Sequence, residues 1–405
     1  MCNRSKDIPH VLIIGAGVSG LTTAWVLLDR GYKITVIAAK YASKDEKITS
    51  QIAGALWEWP PPVCGRYWHW EDICLDNLKR RCLVSFHRFN TLADNPETGV
   101  RMCKSNLFFG RPIQSCPAQT RKLAEIKETL PGFRHDIKIV EELGANPDYG
   151  IVDSYCHLAP IIDSDQYMDW LINYLKSRDN IKFFTREIKG NLLAQECELL
   201  TYYEADMIVN CTGINAKELV GDDTVFSLRG AYFRMINDGS KFRKINEAMM
   251  VTLDGEESND MIFIVPRNNN TVILGAIGER EVLDLNINLE NYPPLKKMLE
   301  RDLAFYPDLK NGEFDPDYPI AIGIRPFRRT HVQLGRERKD SRIVHNYGHG
   351  DSGYTLSFGC AEDVADIIDE MSKEIFIKKE NVPTISKNMC NGSSINYVTQ
   401  EGKGV

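Results

Sequence analysis

The sequence predicts an α/β fold, a doubly wound parallel sheet with helices on its faces, joined to a second, strand-rich unit. A short apolar run, His10 to Ile14, ends in Gly15-Ala16-Gly17-Val18-Ser19-Gly20, after which Leu21, Ala24, Trp25 and Leu28 recur at helical spacing. Gly31 and an alternating run from Lys33 to Ile37 then close a βαβ unit. Far along the chain, Val344 to Thr355 repeats the order of strand, glycine-rich loop and helix.

Later elements follow from local chemistry. Tyr41 to Lys47 is polar and loop-like, and Pro60-Pro61-Pro62 is extended and ends the first unit. Residues 63–150 mix aromatic, charged and turn residues without a readable period. Asp163 or Ser164 can cap a helix carrying Tyr167, Trp170, Leu171, Tyr174 and Leu175 on one face. Ile181 to Phe184 reads as a strand, and so does Met207 to Asn210, which ends in Cys211-Thr212-Gly213. From about 221 to 330 strands dominate. Met261 to Val265 and Thr271 to Leu274 flank Asn268-Asn269-Asn270 as a hairpin. The chain after about 378 is polar and reads as a frayed tail.

Composition narrows the function. The 405 residues are 43% hydrophobic and 26% charged, as in folded globular chains. Lys and Arg number 49 against 56 Asp and Glu, so the net charge is -7 and no basic stretch favours nucleic acid. No apolar run nears the ~18 residues of a membrane span, the start lacks a signal-peptide pattern, and Lys403-Gly404-Val405 is not a peroxisomal address. A cytoplasmic protein with no membrane partner is expected. The 11 cysteines are irregularly spaced, which fits scattered thiols in a reducing compartment. Cys64, Cys74 and Cys82, with His69 between, are too far apart for a closed zinc site, so no metal is expected.

The glycine turn has a physical reason. Its first glycine permits the turn, the second brings backbone to a pyrophosphate, and the third lets the helix pack closely, with the helix N-terminus facing the phosphates. A glycine turn without a ligand is the plainer alternative. The second strand ends in Ile37-Ala38-Ala39-Lys40, without the usual ribose-binding acid, so Lys40 or a backbone carbonyl must serve the adenosine half. His345 and His349, beside the second glycine segment, read either as a catalytic or metal-binding pair or as structural hydrogen-bonders.

These segments, with Ala53-Gly54-Ala55-Leu56-Trp57, Val209 to Gly213 and Gly323-Ile324-Arg325-Pro326, resemble the D-amino acid oxidase and D-aspartate oxidase family of flavoproteins over about residues 8 to 370. The resemblance implies a glutathione-reductase-like fold with a discontinuous FAD-binding domain (1–59, 151–220 and 331–378). It also implies an α+β substrate domain (60–150 and 221–330) carrying a large, mostly antiparallel sheet, and a tail (379–405). FAD is implied along Gly15, Gly17, Val18, Ser19, Gly20, Thr49 and Ser50, with Lys40 at its adenosine end. Its flavin would lie near Trp57 and the loop from Gly348 to Thr355, with Gly350, Ser352, Gly353, Tyr354 and Thr355 in contact, and Gly54, Leu56, Thr212 and Gly213 are further implied cofactor contacts.

Arg325 matches the family's arginine that clamps the substrate carboxylate. The alternative is an ordinary salt bridge, since Arg328 and Arg329 stand beside it. Phe263 occupies the place of a carboxylate-binding tyrosine and lacks its hydroxyl, while Asn259 replaces a lid tyrosine in an acidic segment, Leu253 to Asp260, that also reads as a solvated loop. Gly278 stands where D-aspartate oxidases carry an arginine, which disfavours an acidic substrate. Asp351 and Glu58 add carboxylates that would suit a cationic side chain, unless they turn outward to Arg328, Arg329 or solvent. Asp351 could also accept the substrate's ammonium proton.

The implied reaction is oxidative deamination of a neutral or basic D-amino acid. It gives an imino acid and then a keto acid, with dioxygen reduced to hydrogen peroxide and a homodimer as a compatible assembly. A specialised amine, secondary amine or L-amino acid oxidase is the nearest alternative, and a flavin-binding protein without turnover is a third.

Overall fold

The protein is described from a computed structural model, in which residues 8–60, 75–252 and 261–380 are placed. Pro61, Pro62, Cys64, His69, Cys74, Asn259, the acidic segment 253–260 and the tail from 381 lie outside the described residues.

Six strands form the first sheet: β1 (His10–Ile14), β2 (Lys33–Ala38), β6 (Ile181–Thr185), β7 (Met207–Asn210), β13 (Gln333–Arg336) and β14 (Ile343–Tyr347), numbered in chain order over the whole molecule. Their spatial order is β13-β14-β7-β1-β2-β6, parallel throughout except for β13. Both faces are covered, so the strands are apolar on both sides. Val11 and Ile13 pack with Val36, Val209 and Val344 against helix α1 (Val18–Asp29) and the C-terminal helix Gly353–Glu380. Leu12 and Ile14 join Ile37, Ile208 and Ile343 on the other face. Arg30 ties α1 to the C-terminal helix through Glu362, Asp366 and Asp369.

The second sheet has eight strands: β3 (Val100–Phe109), β4 (Arg134–His135), β5 (Asp153–Ile162), β8 (Val225–Ile236), β9 (Ala248–Thr252), β10 (Ile262–Pro266), β11 (Thr271–Arg280) and β12 (Ile320–Arg328). It runs β12-β8-β11-β10-β9-β3-β5-β4 and is antiparallel except where β3 meets β9. The expected hairpin is present, with Ile264 opposite Leu274. Asp163 caps the helix Ser164–Lys176 by accepting from the Asp165 and Gln166 amides. The stretch without a readable period contains helices α2 (Leu75–Leu92) and α3 (Pro117–Thr129) as well as β3 and β4. The last helix begins at Gly353 and continues to Glu380, past the expected start of the tail. No helix among the described residues is long and apolar enough to cross a membrane.

Candidate active site

Between the sheets lies a cleft of about 1880 Å³, lined by the glycine turn after β1 and by residues 38–40, 48–50, 52–56 and 186–188. The turns after β7 and β14, and one face of β8, β11 and β12, complete its walls. A Cβ on Gly15 would stand 2.3 Å from the Cys211 carbonyl oxygen, and one on Gly20 2.0 Å from the Gly15 oxygen. The turn is thus pressed against the exit of β7 and against its own helix. Gly20 takes part in this packing, buried behind the turn rather than lining the cleft. Gly15, Gly17, Val18 and Ser19 do line it.

Ser50 Oγ accepts from the Val18 amide at 2.9 Å, capping α1, and the Tyr354 hydroxyl donates to the Ser50 carbonyl at 2.7 Å. Thr49 donates to the Ile324 carbonyl at 3.3 Å. Thr212 holds its turn by donating from its amide and hydroxyl to Asn210 Oδ1. Lys40 reaches the same end of the cleft but pairs there with Glu46, both exposed. Gly54, Leu56, Gly213, Gly350, Ser352, Gly353 and Thr355 also line the wall. Trp57 does not: its ring is fully buried and its indole donates to the Cys82 carbonyl at 3.0 Å, so only its neighbours Leu56 and Glu58 face the cleft.

Two buried polar atoms on cleft-lining residues, His349 Nε2 and Asn346 Oδ1, have no partner among the described residues. Burial holds His349 neutral, pushed down to about 4. Its Nδ1 approaches Ser19 Oγ. A long cleft with a glycine turn, a capped helix start and orphaned polar atoms fits an extended dinucleotide such as FAD. His345 lies outside the cleft and is buried between Glu337 and Asn210, a structural hydrogen-bonder.

At the other end, Arg325 projects from β12. Its guanidinium lies flat on Gly230 of β8, where a Cβ would come within 2.6 Å of Cζ. It donates to the Ile277 carbonyl at 3.2 Å and forms no ion pair among the described residues. Burial lowers its proton affinity, and the charge of Asp351 opposes that. The neighbouring arginines are engaged elsewhere: Arg328 pairs with Asp222 at 2.8 Å and Arg329 with Glu281 at 2.8 Å.

Asp351 is exposed to the open cleft, whose wall it lines. Its Oδ1 accepts from the Ser352 hydroxyl at 2.9 Å. Burial raises its pKa, Arg325 and the Ser352 hydroxyl pull it down, and Glu58 pushes it up. Glu58 accepts from the buried Lys122 of α3 at 3.2 Å. Neither carboxylate therefore turns to Arg328 or Arg329, and the two differ, since among the described residues Glu58 has a cation at ion-pair distance and Asp351 has none. The Phe263 ring covers Gly54, and Gly278 lines the wall without a side chain.

Several residues of this site carry no motif. Lys122 meets Glu58 only through the packing of α3 under the sheet. Gly230, isolated within an apolar strand, is the kind of glycine that marks a close approach. Arg267, fully buried after β10, donates to the Ala53 and Ile162 carbonyls and to the Tyr232 hydroxyl, fixing the segment that carries Gly54. Arg186 and Glu187 line the cleft beside residues 38–40 because β6 ends beside β2.

A family profile described as DAO, FAD dependent oxidoreductase, matches residues 10–367. The chain is 30% identical over 368 residues to D-amino-acid oxidase of Rubrobacter xylanophilus, covering 90% of this chain and 98% of that protein. It is 29% identical over 370 residues to D-amino-acid oxidase of Dictyostelium discoideum, covering 89% and 92%. Among solved structures it shares its fold with glycine oxidase from Geobacillus kaustophilus (TM-score 0.67, 15% identity, covering 89% and 94%). L-proline dehydrogenase from P. horikoshii is similar at TM-score 0.67 and 15% identity, covering 90% and 94%. The match over most of the chain, on a cleft whose turn and orphaned atoms suit FAD, shows that this chain belongs to the DAO family of FAD-dependent oxidoreductases and uses FAD as its cofactor.

Proposed function

We propose that the chain oxidises the Cα–N bond of a D-amino acid with a neutral or basic side chain. The amino acid and dioxygen become an imino acid and hydrogen peroxide, and water then hydrolyses the imino acid to a keto acid and ammonia. The observation that carries this reading is Arg325, a guanidinium in the cleft whose one hydrogen-bond partner among the described residues is the Ile277 carbonyl. Such a fork is left to receive a carboxylate bidentately, which orients the α-carbon.

FAD, when bound, supplies the two-electron acceptor that dioxygen regenerates. Gly15, Gly17, Val18, Ser19 and Ser50 would hold its phosphates, and residues 350–355 with Gly54 and Leu56 would hold its flavin half. Phe263 adds an apolar wall that excludes water without adding a hydrogen bond. A substrate with a second carboxylate would bring it toward Asp351 and Glu58, with no cation at Gly278 to receive it, so acidic side chains are disfavoured. The D configuration is supported by the relatives at about 30% identity.

The test is anaerobic mixing of the yellow, FAD-loaded protein with D- and L-amino acids and simple amines, followed by the oxidised-flavin absorbance. Rapid bleaching by neutral or basic D-amino acids, and slow bleaching by D-aspartate, is expected. Bleaching by L-amino acids or amines alone would replace this reading with a specialised amine or L-amino acid oxidase.

A further inference from the structure

We infer that Asp351 is the counter-ion of the substrate's α-ammonium group and the acceptor of its proton, acting in the same cleft in which Arg325 takes the carboxylate. The inference rests on the amino acid oxidase reading above. An amino acid presents a cation and an anion on adjacent carbon substituents. The cleft presents the complement, a guanidinium on β12 and a carboxylate on the turn after β14, brought together where the Gly350 amide, next to Asp351, donates to the Pro326 carbonyl, next to Arg325, at 3.0 Å.

The charged and titratable groups facing Asp351 are few. Arg325 faces it from β12, with Tyr232 of β8 beside that arginine. Glu58 faces it from the segment after Gly54 and is already neutralised by Lys122. The Ser352 hydroxyl occupies one carboxylate oxygen. Asp351 is thus a cleft-facing carboxylate whose one cationic neighbour among the described residues is the group the substrate's carboxylate will occupy. Once that anion is seated on Arg325, Asp351 loses the benefit of the guanidinium, and the α-ammonium is the cation that restores balance. Burial and Glu58 together raise the proton affinity of Asp351, which favours the next step.

In that step one ammonium N–H bond breaks and an O–H bond forms on the Asp351 carboxylate. The electron pair stays on nitrogen as the free amine. Only the amine, with that pair available, can form a C=N bond as the α-hydrogen leaves. The chain thus supplies a proton acceptor in addition to binding and orientation.

Two measurements on the FAD-loaded protein test this, using Asp351→Asn as the isosteric variant and Asp351→Glu as the conservative one. The first is the limiting rate of anaerobic flavin reduction by the best D-amino acid of the panel, from pH 6 to pH 10. Asp351→Asn is expected to be about 100-fold slower than wild type near pH 7. It should recover about tenfold per pH unit toward the amine's own range, where solvent has already removed the proton, and Asp351→Glu should restore part of the wild-type profile. Parallel profiles for wild type and Asp351→Asn would overturn the inference and leave the oxidase reading intact.

The second is binding of propanoate, a carboxylate without an amine, read from the visible spectrum of the bound flavin. Wild type should bind it more tightly as the pH falls and Asp351 gains a proton. Asp351→Asn should bind it about 10- to 100-fold more tightly than wild type at neutral pH, with little pH dependence. If no D-amino acid reduces the wild type, the oxidase reading fails. Propanoate then judges Asp351 alone, and equal affinity in the two proteins overturns its role as a counter-ion.

Discussion

A methyl group at position 230 would stand 2.6 Å from Arg325 Cζ, so Gly230→Ala must push the guanidinium off its bed. Raised KM for the amino acid, by tenfold or more, is expected with FAD content unchanged. Flavin absorbance and steady-state kinetics of one preparation separate the two effects. Removing the charge itself should be worse: Arg325→Met is expected to lower kcat/KM by more than about 100-fold, and Arg325→Lys to recover only part, because an ammonium cannot make the bidentate contact. Glu58→Gln leaves buried Lys122 without its carboxylate at the cleft wall. The ratio of D-aspartate to D-alanine turnover should then rise, and an unchanged ratio would mean that Glu58 does not sense the side chain. At this scale the sequence singles out Arg325, Asp351, Glu58 and Phe263 because each sits in or beside a motif, and all four line the cleft. It does not single out Lys122, 64 residues from Glu58 along the chain.

Among the elements, the segment Ala53–Gly54 is held from outside by Arg267. Arg267→Met would strand the Ala53 and Ile162 carbonyls in a dry interior, and a loss of about 3 kcal/mol or more is expected. Thermal unfolding with and without added FAD would show a lower Tm and weaker flavin retention. The helix Pro293–Phe305 carries the opposite feature on its inner face. Asp302 is fully buried among Leu295, Met298 and Phe305, and neither carboxylate oxygen has a hydrogen-bond partner among the described residues. Burial raises its pKa well above the ordinary value. A group raised on folding contributes its full stability below the unfolded carboxylate pKa of about 4 and loses it as pH rises toward the folded value. Asp302→Asn should therefore match wild type near pH 4 and exceed it in urea midpoint at pH 8. Equal midpoints at both values would show that the carboxyl finds a partner when ionised.

At the scale of the molecule, legibility follows the distance over which strands pair. β1, α1 and β2 are contiguous, and their apolar runs and glycine turn stand out in the sequence. The hairpin of β10 and β11 likewise closes locally. By contrast β3 pairs with β5 across a register that sets Val100 opposite Ile162, and α2 packs on the C-terminal helix. Such contacts bury mixed surfaces whose partners lie far along the chain, so residues 63–150 showed no period of their own. Trp57 shows the same limit, since a motif gave its neighbourhood while packing with Phe86 and the Cys82 carbonyl set its direction.

The placing of β14 between β13 and β7 has a bearing on how the protein is made. A ribosome that has finished β7 has built the glycine turn and the strands β1, β2 and β6, yet more than a hundred residues remain before Ile343 emerges. Over that interval β7 offers an open edge to any neighbouring strand, and the wall formed by residues 350–355 does not exist. FAD capture thus belongs to the completed chain. A chain halted before Ile343 is expected to leave the ribosome colourless and prone to associate with its own copies.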